Sequence, residues 1–424
     1  MRKILLQHVG EVPLERLIMI ETSLNYLVSA RWFQGKGLPV SELDWHPLPW
    51  YVSNGDIWVR SELVTLLVGG KEETYHLLSG YAPPGTCESE AVMGQVDLPE
   101  RGLVDVLDVP CSPTAMAVFL NAVTDPASSA VEWAGAPPDP NAPTRVFAGE
   151  QSNTMVWIGD DMLLKVFRKL SPGASLEAIT LADMASSQHT PLLIGVLEAE
   201  SGYHLGLFVE RIREARDGWE FCVERCRAGQ SIADEMTLLG QALRRLHADL
   251  GQAYGAANAD AADIGTQMMD RLDGVCQQLP ELAKLQPRLR DIFTLAPGPV
   301  EVQRVHGDFH LGQALLSPRG WTIIDFEGEP LKSPAESATP DAVWRDVAGL
   351  CRSIDYARHG QDADDWYEEA REAFLTGYGD PPPAALLTAY ELDKAIYELL
   401  YETRNRPAWA DIPRSAIETA IAQM

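Results

Sequence analysis

The stretch Gln303-Arg304-Val305-His306-Gly307-Asp308-Phe309-His310-Leu311-Gly312-Gln313, continued by Ala314-Leu315-Leu316-Ser317-Pro318-Arg319-Gly320-Trp321-Thr322-Ile323-Ile324-Asp325-Phe326-Glu327, is the densest concentration of chemistry-bearing residues in the chain. Between its two polar ends lie two short apolar runs around Pro318-Arg319-Gly320, the signature of a hairpin. Antiparallel pairing brings Gln313 and Asp325 back to the same end. Asp308, five residues before Gln313, then faces Asp325 across one small site. Phosphoryl transfer asks for this arrangement: one carboxylate to orient and deprotonate a hydroxyl, and a second carboxylate plus an amide oxygen to hold magnesium on the phosphates.

Protein kinases use the same spacing, an aspartate five positions ahead of a metal-binding asparagine and then a hairpin leading to Asp-Phe-Gly. Here Asp325-Phe326-Glu327 stands in that last place. His310 and Glu327, beside the two aspartates, are candidates on the acceptor side. Two blander readings compete. His306 and His310 are four apart and could be a zinc pair, but Gly307 between them disfavours a helix and no Glu follows the first His. Alternatively, Asp308 caps a turn and Asp325 ends a strand, a reading the joint spacing weakens.

Upstream, residues 153–158 and 162–167 are apolar runs separated by Gly159-Asp160-Asp161, an expected antiparallel hairpin. It follows Gly149-Glu150-Gln151-Ser152-Asn153-Thr154, whose Ser152 and Asn153 are counted as nucleotide-binding candidates. Lys165, flanked by apolar residues, is placed to reach ATP phosphates; a solvated edge lysine is the competing reading, against which only the downstream aspartates weigh. Glu177, on a helix expected to open near Ser175, could hold it by an ion pair. No Gly-x-x-x-x-Gly-Lys stretch exists, which disfavours a P-loop enzyme.

The chain has 424 residues, long for one hydrophobic core, and a 46% hydrophobic content ordinary for a folded protein. Its 34 Lys and Arg against 61 Asp and Glu give a formal charge of -27, a field that repels nucleic acid and anionic membrane surfaces. Residues 4–6 are too short an apolar run for a secretory signal. No stretch reaches the roughly 18 apolar residues of a membrane span. A soluble cytoplasmic protein is expected. The six cysteines, including Cys222 and Cys226 on an expected helix, lack the spacing of a disulfide or zinc framework.

The first eighty or so residues alternate apolar and polar positions around Asn54-Gly55-Asp56 and Gly69-Gly70-Lys71, and read as strands. Tyr81-Ala82-Pro83-Pro84-Gly85 marks an expected boundary, and the proline-rich 135–143 an expected loop. Leu238, Leu239, Ala242, Leu243, Leu246 and Leu250 share a helical spacing within 219–250. Helices are expected to dominate the rest, apart from the one strand pair.

These residues resemble the aminoglycoside phosphotransferase-like kinases, whose hallmark is His-Gly-Asp-x-His-x-x-Asn followed by a second Asp. More closely they are similar to the actinobacterial maltokinase-like group, in which Gln replaces that Asn, as Gln313 does here. The resemblance extends to Ala30-Arg31-Trp32-Phe33-Gln34-Gly35-Lys36-Gly37, Gln151-Ser152-Asn153-Thr154, Asp217-Gly218-Trp219-Glu220, Ile324 to Pro330, Arg345-Asp346-Val347-Ala348-Gly349, Lys394-Ala395-Ile396-Tyr397-Glu398 and Arg406-Pro407-Ala408-Trp409. It implies an α+β, bilobal protein-kinase-like fold. A strand-rich cap would occupy 1–88, an intermediate unit completing the ATP-binding lobe 89–209, and a mainly helical lobe with the sugar site 210–424. It also implies the base role for Asp308, magnesium at Gln313 and Asp325, phosphate contact for Lys165, and adenine contacts around Val209-Glu210-Arg211.

Maltokinases follow Asp-Phe-Glu-Gly-Glu-Pro with consecutive arginines, whereas Leu331-Lys332-Ser333-Pro334-Ala335-Glu336-Ser337-Ala338-Thr339-Pro340 has none. A relative in the same group phosphorylates glucosamine, and that branch is favoured. The expected activity is transfer of the γ-phosphoryl group of ATP, with Mg2+, to an amino sugar, with maltose the alternative acceptor. On the helix expected over 391–405, Glu398, Tyr401, Glu402 and Asn405 fall on one face. Their carboxylates could hold an ammonium, and Trp409 could offer a ring to the sugar. A solvated acidic face with a packing Trp is the competing reading. A pseudokinase acting as a binding module is a further alternative, opposed by the joint presence of Lys165, Asp308, Gln313 and Asp325. Oligomeric state is not legible in the chain.

Overall fold

The computed structural model describes residues 14–33, 35–99, 101–147, 149, 152–200, 202–329, 332, 334–379 and 383–422. Of the stretches singled out above, residues 1–13, Gln34, Glu150, Gln151, Pro330, Leu331 and Ser333 lie outside them. The chain divides into two compact units, Met1–Ala178 with Leu192–Arg211, and Ile179–Pro191 with Ile212–Met424.

The first unit holds two antiparallel six-stranded sheets among the described residues. In the first sheet Val40–Val52, Trp58–Val68, Lys71–Ala82, Gly102–Asp108 and Val92–Leu98 lie side by side, and Lys169–Leu170 pairs with Lys71–Ala82. Val64, Leu66 and Val68 alternate along one strand and pack with Tyr75, Leu77 and Val106 against Leu27 of helix Leu14–Ser29. The division expected at 88 does not coincide with a break in this sheet. Pro83 and Pro84 end a strand, but Gly85, at φ 78°, turns the chain and donates its N–H to Asp105 at 2.9 Å. Two further strands then return to the same sheet, Ser79 pairing with Asp108.

The second sheet runs Val131–Trp133, Leu193–Glu198, His204–Glu210, Met162–Val166, Thr154–Ile158, Thr144–Val146. The proline-rich loop 135–143 links the strands at its two opposite edges. The hairpin expected around Gly159 forms, with Met155 opposite Lys165. Just beyond Lys165, the fully buried Arg168 donates to Asp108 of the first sheet at 2.6 Å and to Thr154 at 2.7 Å.

In the second unit, helices Gly218–Arg227, Ala233–Tyr254, Ala261–Cys276, Trp344–Ala357, Asp364–Tyr378, Ala384–Asn405 and Asp411–Ala422 predominate. The helical stretch read over 219–250 is broken near Gly229, whose φ is 60°. Leu239, Ala242, Leu243, Leu246 and Leu250 form its buried face, whereas Leu238, one residue before that face, is 52% exposed. This helix crosses Asp364–Tyr378 closely: a side chain at Gly377 would meet the Thr237 carbonyl oxygen at 2.0 Å. The expected hairpin, Ala314–Ser317 with Gly320–Ile323, is present and takes Arg216–Asp217 as a third strand. A second ladder, Ala256–Asp260 with Pro299–Gln303, was not expected, because Ala, Asn and Asp carry no strand preference; backbone pairing forms it, and Asp260 also accepts the Gly298 N–H at 3.2 Å. No described helix is long and apolar enough to cross a membrane.

Candidate active site

Strand Pro299–Gln303 delivers the chain into the loop 304–310. Gly307, at φ 88°, allows the turn there, and the fully buried Asp346 on helix Trp344–Ala357 accepts the N–H groups of both His306 and Gly307 at 2.8 Å. Asp346 also accepts from His247 Nε2 at 2.9 Å, and His247 Nδ1 meets the Tyr378 hydroxyl at 2.9 Å. Burial pushes the Asp346 carboxyl up, but the His247 hydrogen bond and the nearby imidazoles and N–H groups outweigh it and hold it below the usual carboxylate range. His306 is buried, paired with the Ile324 carbonyl at 2.9 Å and packed on Phe309 and Phe326. His310 Nδ1 accepts the Gly312 N–H at 3.1 Å, and burial lowers its pKa. The two histidines thus order the loop separately, and the zinc reading has no support in this geometry.

The hairpin does what its spacing predicts. The Ile324 N–H donates to the Gln313 carbonyl at 3.0 Å, and Gln313 Nε2 donates to the Asp325 carboxylate at 2.9 Å. Asp325 has φ 67°, a left-handed conformation that costs a non-glycine residue on the order of 1–3 kcal/mol and persists where the surroundings impose it. Glu327 is half-buried two residues further on.

Asp308 is also half-buried. It accepts a 2.8 Å hydrogen bond from Lys394 Nζ, which reaches it from helix Ala384–Asn405. Lys394 lies 3.7 Å from Glu329, and Glu329 pairs with Arg345 at 2.9 Å and with Lys332 at 3.1 Å. Burial alone would pull the Lys394 ammonium down; Asp308 and Glu329 more than offset it and hold its pKa above the ordinary lysine value. Burial pushes Glu329 up, but Arg345, Lys394 and Lys332 bring it down to about 2. Lys394, Glu329, Arg345, Asp346 and His247 received no role in the sequence reading. All but His247 sat in stretches already matched to the kinase group, which was the available signal.

On helix Ala384–Asn405, the glutamates of the face read as the acceptor side have arginine partners. Glu398 is bound by Arg352 at 2.9 and 3.0 Å, and the buried Glu402 by Arg406 at 2.7 Å. Carboxylates this buried need a cation, and the protein supplies its own. Tyr401 is exposed and stacks on Tyr397, and Asn405 donates to the Tyr401 carbonyl. Trp409 packs against Tyr356, His359 and Trp219.

In the first unit, Lys165 donates to Glu177 at 2.6 Å and both are buried, the ion pair that the twelve-residue spacing suggested. Asn153 accepts the Arg168 N–H at 3.2 Å, while Ser152 is exposed. Val209 is buried in strand His204–Glu210. Glu210 accepts the Leu192 N–H at 3.3 Å, and Arg211 donates to the Gly159 carbonyl at 3.0 Å with its guanidinium over Trp157.

A strand-rich unit with a buried Lys–Glu pair, and a helical unit with an Asp-containing loop and a Gln–Asp hairpin, define a kinase-like α+β phosphotransferase. A model of the phosphotransferase enzyme family matches residues 143–387, more than half of the chain. The chain belongs to that family. A glucosamine kinase of Streptacidiphilus jiangxiensis is 28% identical over 311 residues, 62% of this chain and 70% of the relative. A glucosamine kinase of Mycolicibacterium smegmatis is 24% identical over 313 residues, 63% and 77% of the two chains. The solved structure of a glucosamine kinase in complex with glucosamine, ADP and inorganic phosphate has a TM-score of 0.63 at 21% identity, covering 93% of this chain and 98% of that one. Another crystal form of a glucosamine kinase gives 0.66 at 21% identity, covering 94% and 97%. The chain is a kinase.

Proposed function

We propose that this kinase transfers the γ-phosphoryl group of ATP to a hydroxyl of an amino sugar, converting glucosamine to glucosamine 6-phosphate. The observation that carries the phosphoryl-transfer chemistry is the return of the hairpin, which sets Gln313 against Asp325 five residues after Asp308. The amino-sugar acceptor is supported by the two glucosamine kinases to which the chain is similar over more than three-fifths of its length.

In this reading Asp308 accepts the proton of the acceptor hydroxyl as its oxygen attacks phosphorus. Lys165, held by Glu177, contacts the nucleotide phosphates, with Ser152 and Asn153 beside them and residues 209–211 toward the adenine. Gln313 and Asp325 offer an amide and a carboxylate oxygen, the hard donor type that fits magnesium. They are the residues that would hold it, and when bound it neutralises charge on the transferring group. His310 and Glu327 remain acceptor-side candidates. Because Glu398 and Glu402 are already paired with arginines, we assign them to shaping helix Ala384–Asn405 rather than to binding the amine directly.

The test is an ATP-consumption assay over a panel of sugars and amino sugars, with the product located by NMR. Glucosamine is expected to give the highest kcat/KM and a phosphate at its primary hydroxyl. A higher kcat/KM for maltose would replace this reading with a maltokinase. Binding of ATP without turnover on any sugar would replace it with a pseudokinase.

A further inference from the structure

Asp308 does not stand alone as a negative charge in its unit. The Lys394 ammonium, 86 residues away in sequence, sits 2.8 Å from its Oδ1. Lys394 is itself fixed: Glu329 lies 3.7 Å from it, and Arg345 and Lys332 hold Glu329 from the other side. The cluster borders a cavity of about 290 Å³ whose lining includes Gly307, Phe309, Glu329, Lys394 and Tyr397. A half-buried carboxylate already neutralised by a fixed lysine exerts little pull on a second cation, while its other oxygen can still accept a hydroxyl proton.

We propose that Lys394 is a positioning and specificity-determining residue: it orients Asp308 toward a hydroxyl and, by occupying the cationic place beside it, makes an amine-bearing acceptor bind with its ammonium turned away from Asp308. This rests on the kinase reading in which Asp308 meets the acceptor hydroxyl. It explains how a site with a carboxylate base phosphorylates an amino sugar at a hydroxyl instead of trapping the amine in a dead-end ion pair. Without Lys394, the ammonium of the sugar would take its place on Asp308, and the sugar would bind tightly in an unproductive orientation.

The experiment compares wild type, Lys394→Met, Lys394→Arg and the double variant Lys394→Met with Asp308→Asn. Calorimetry would give the Kd of glucosamine and of glucose, and kcat would be measured on the best acceptor of the wild type. Lys394→Met is expected to shift the ratio of the two affinities toward glucosamine by about tenfold, the value of one hydrogen bond to a charged group, and to lower kcat by about 100-fold or more. Lys394→Arg should restore both in large part, and the double variant should return the affinity ratio to near wild type, since neither charge remains. The inference is overturned if Lys394→Met lowers kcat with the ratio unmoved, if Lys394→Arg is as impaired as Lys394→Met, or if the double variant keeps the shifted ratio. Should Lys394→Met fail to fold, Lys394→Gln, which also removes the charge, replaces it with the same two readouts and the same expected outcomes. Failure of the wild type to phosphorylate glucosamine overturns the amino-sugar reading alone, because the affinity ratios do not depend on turnover.

Discussion

Asp346 grips Gly307 through the backbone, its Oδ1 accepting the Gly307 N–H at 2.8 Å while Oδ2 takes that of the preceding His306. A buried carboxylate on a helix thereby sets the path of the loop that carries Asp308. Asp346→Ala leaves two N–H groups and His247 without their acceptor. It is expected to cost about 3–5 kcal/mol of stability, read by urea denaturation, and to lower kcat in the fraction that still folds. Wild-type turnover in folded Asp346→Ala would show that the loop does not need this anchor.

Asp308→Asn should retain nucleotide binding and lose turnover by on the order of 100- to 10,000-fold, the range of general-base and orienting roles. Binding by calorimetry and kcat by an ATP-coupled assay separate the two. Retention of more than about a tenth of the wild-type rate contradicts the base assignment.

For the hairpin, Asp325→Ala is expected to abolish activity at every practical magnesium concentration, whereas Gln313→Ala should be partly rescued by added magnesium. A carboxylate contributes charge to the ion, and an amide only a neutral oxygen. A magnesium titration of both variants checks this, and equal losses without rescue would remove the distinction.

Glu329 provides a pH test. Its folded pKa, about 2, lies below the ordinary 4.5, so the folded state favours the ionised form. The stabilisation is complete above about pH 4.5 and is lost as pH falls toward 2, and is worth on the order of 3 kcal/mol. Glu329→Gln should therefore be less stable than wild type at pH 7, with the gap closing between pH 4.5 and the most acidic pH at which the fold survives. Parallel stability curves for the two proteins would show that Glu329 is not held ionised by Arg345 and Lys394.

Gly349→Ala probes the contact between helix Trp344–Ala357 and the catalytic loop. An added Cβ would stand 2.5 Å from the Phe309 carbonyl oxygen, so the helix or the loop must shift. The cost expected for such overpacking is about 1–3 kcal/mol, with a drop in kcat that exceeds any change in the KM for ATP. Unchanged kcat would mean the loop tolerates the shift.

Local patterns carried much of this protein. The turn residues Pro318-Arg319 and the apolar runs beside them are enough for the hairpin, because pairing between neighbouring strands needs only adjacent sequence. From that register, the meeting of Gln313 with Asp325 follows. The Lys165–Glu177 pair was legible only together with the downstream aspartates, because a lysine on a strand is more often a solvated edge residue. What adjacency cannot convey is which distant side chain neutralises a buried charge. Lys394 reaches Asp308 across 86 residues, and Arg352 and Arg406 bind the two glutamates that the helical spacing had offered to the substrate. Spacing reports only which face of a helix a residue occupies. What that face meets depends on the packing of helices remote in sequence, and the cost of leaving a buried carboxylate unpaired then selects its partner.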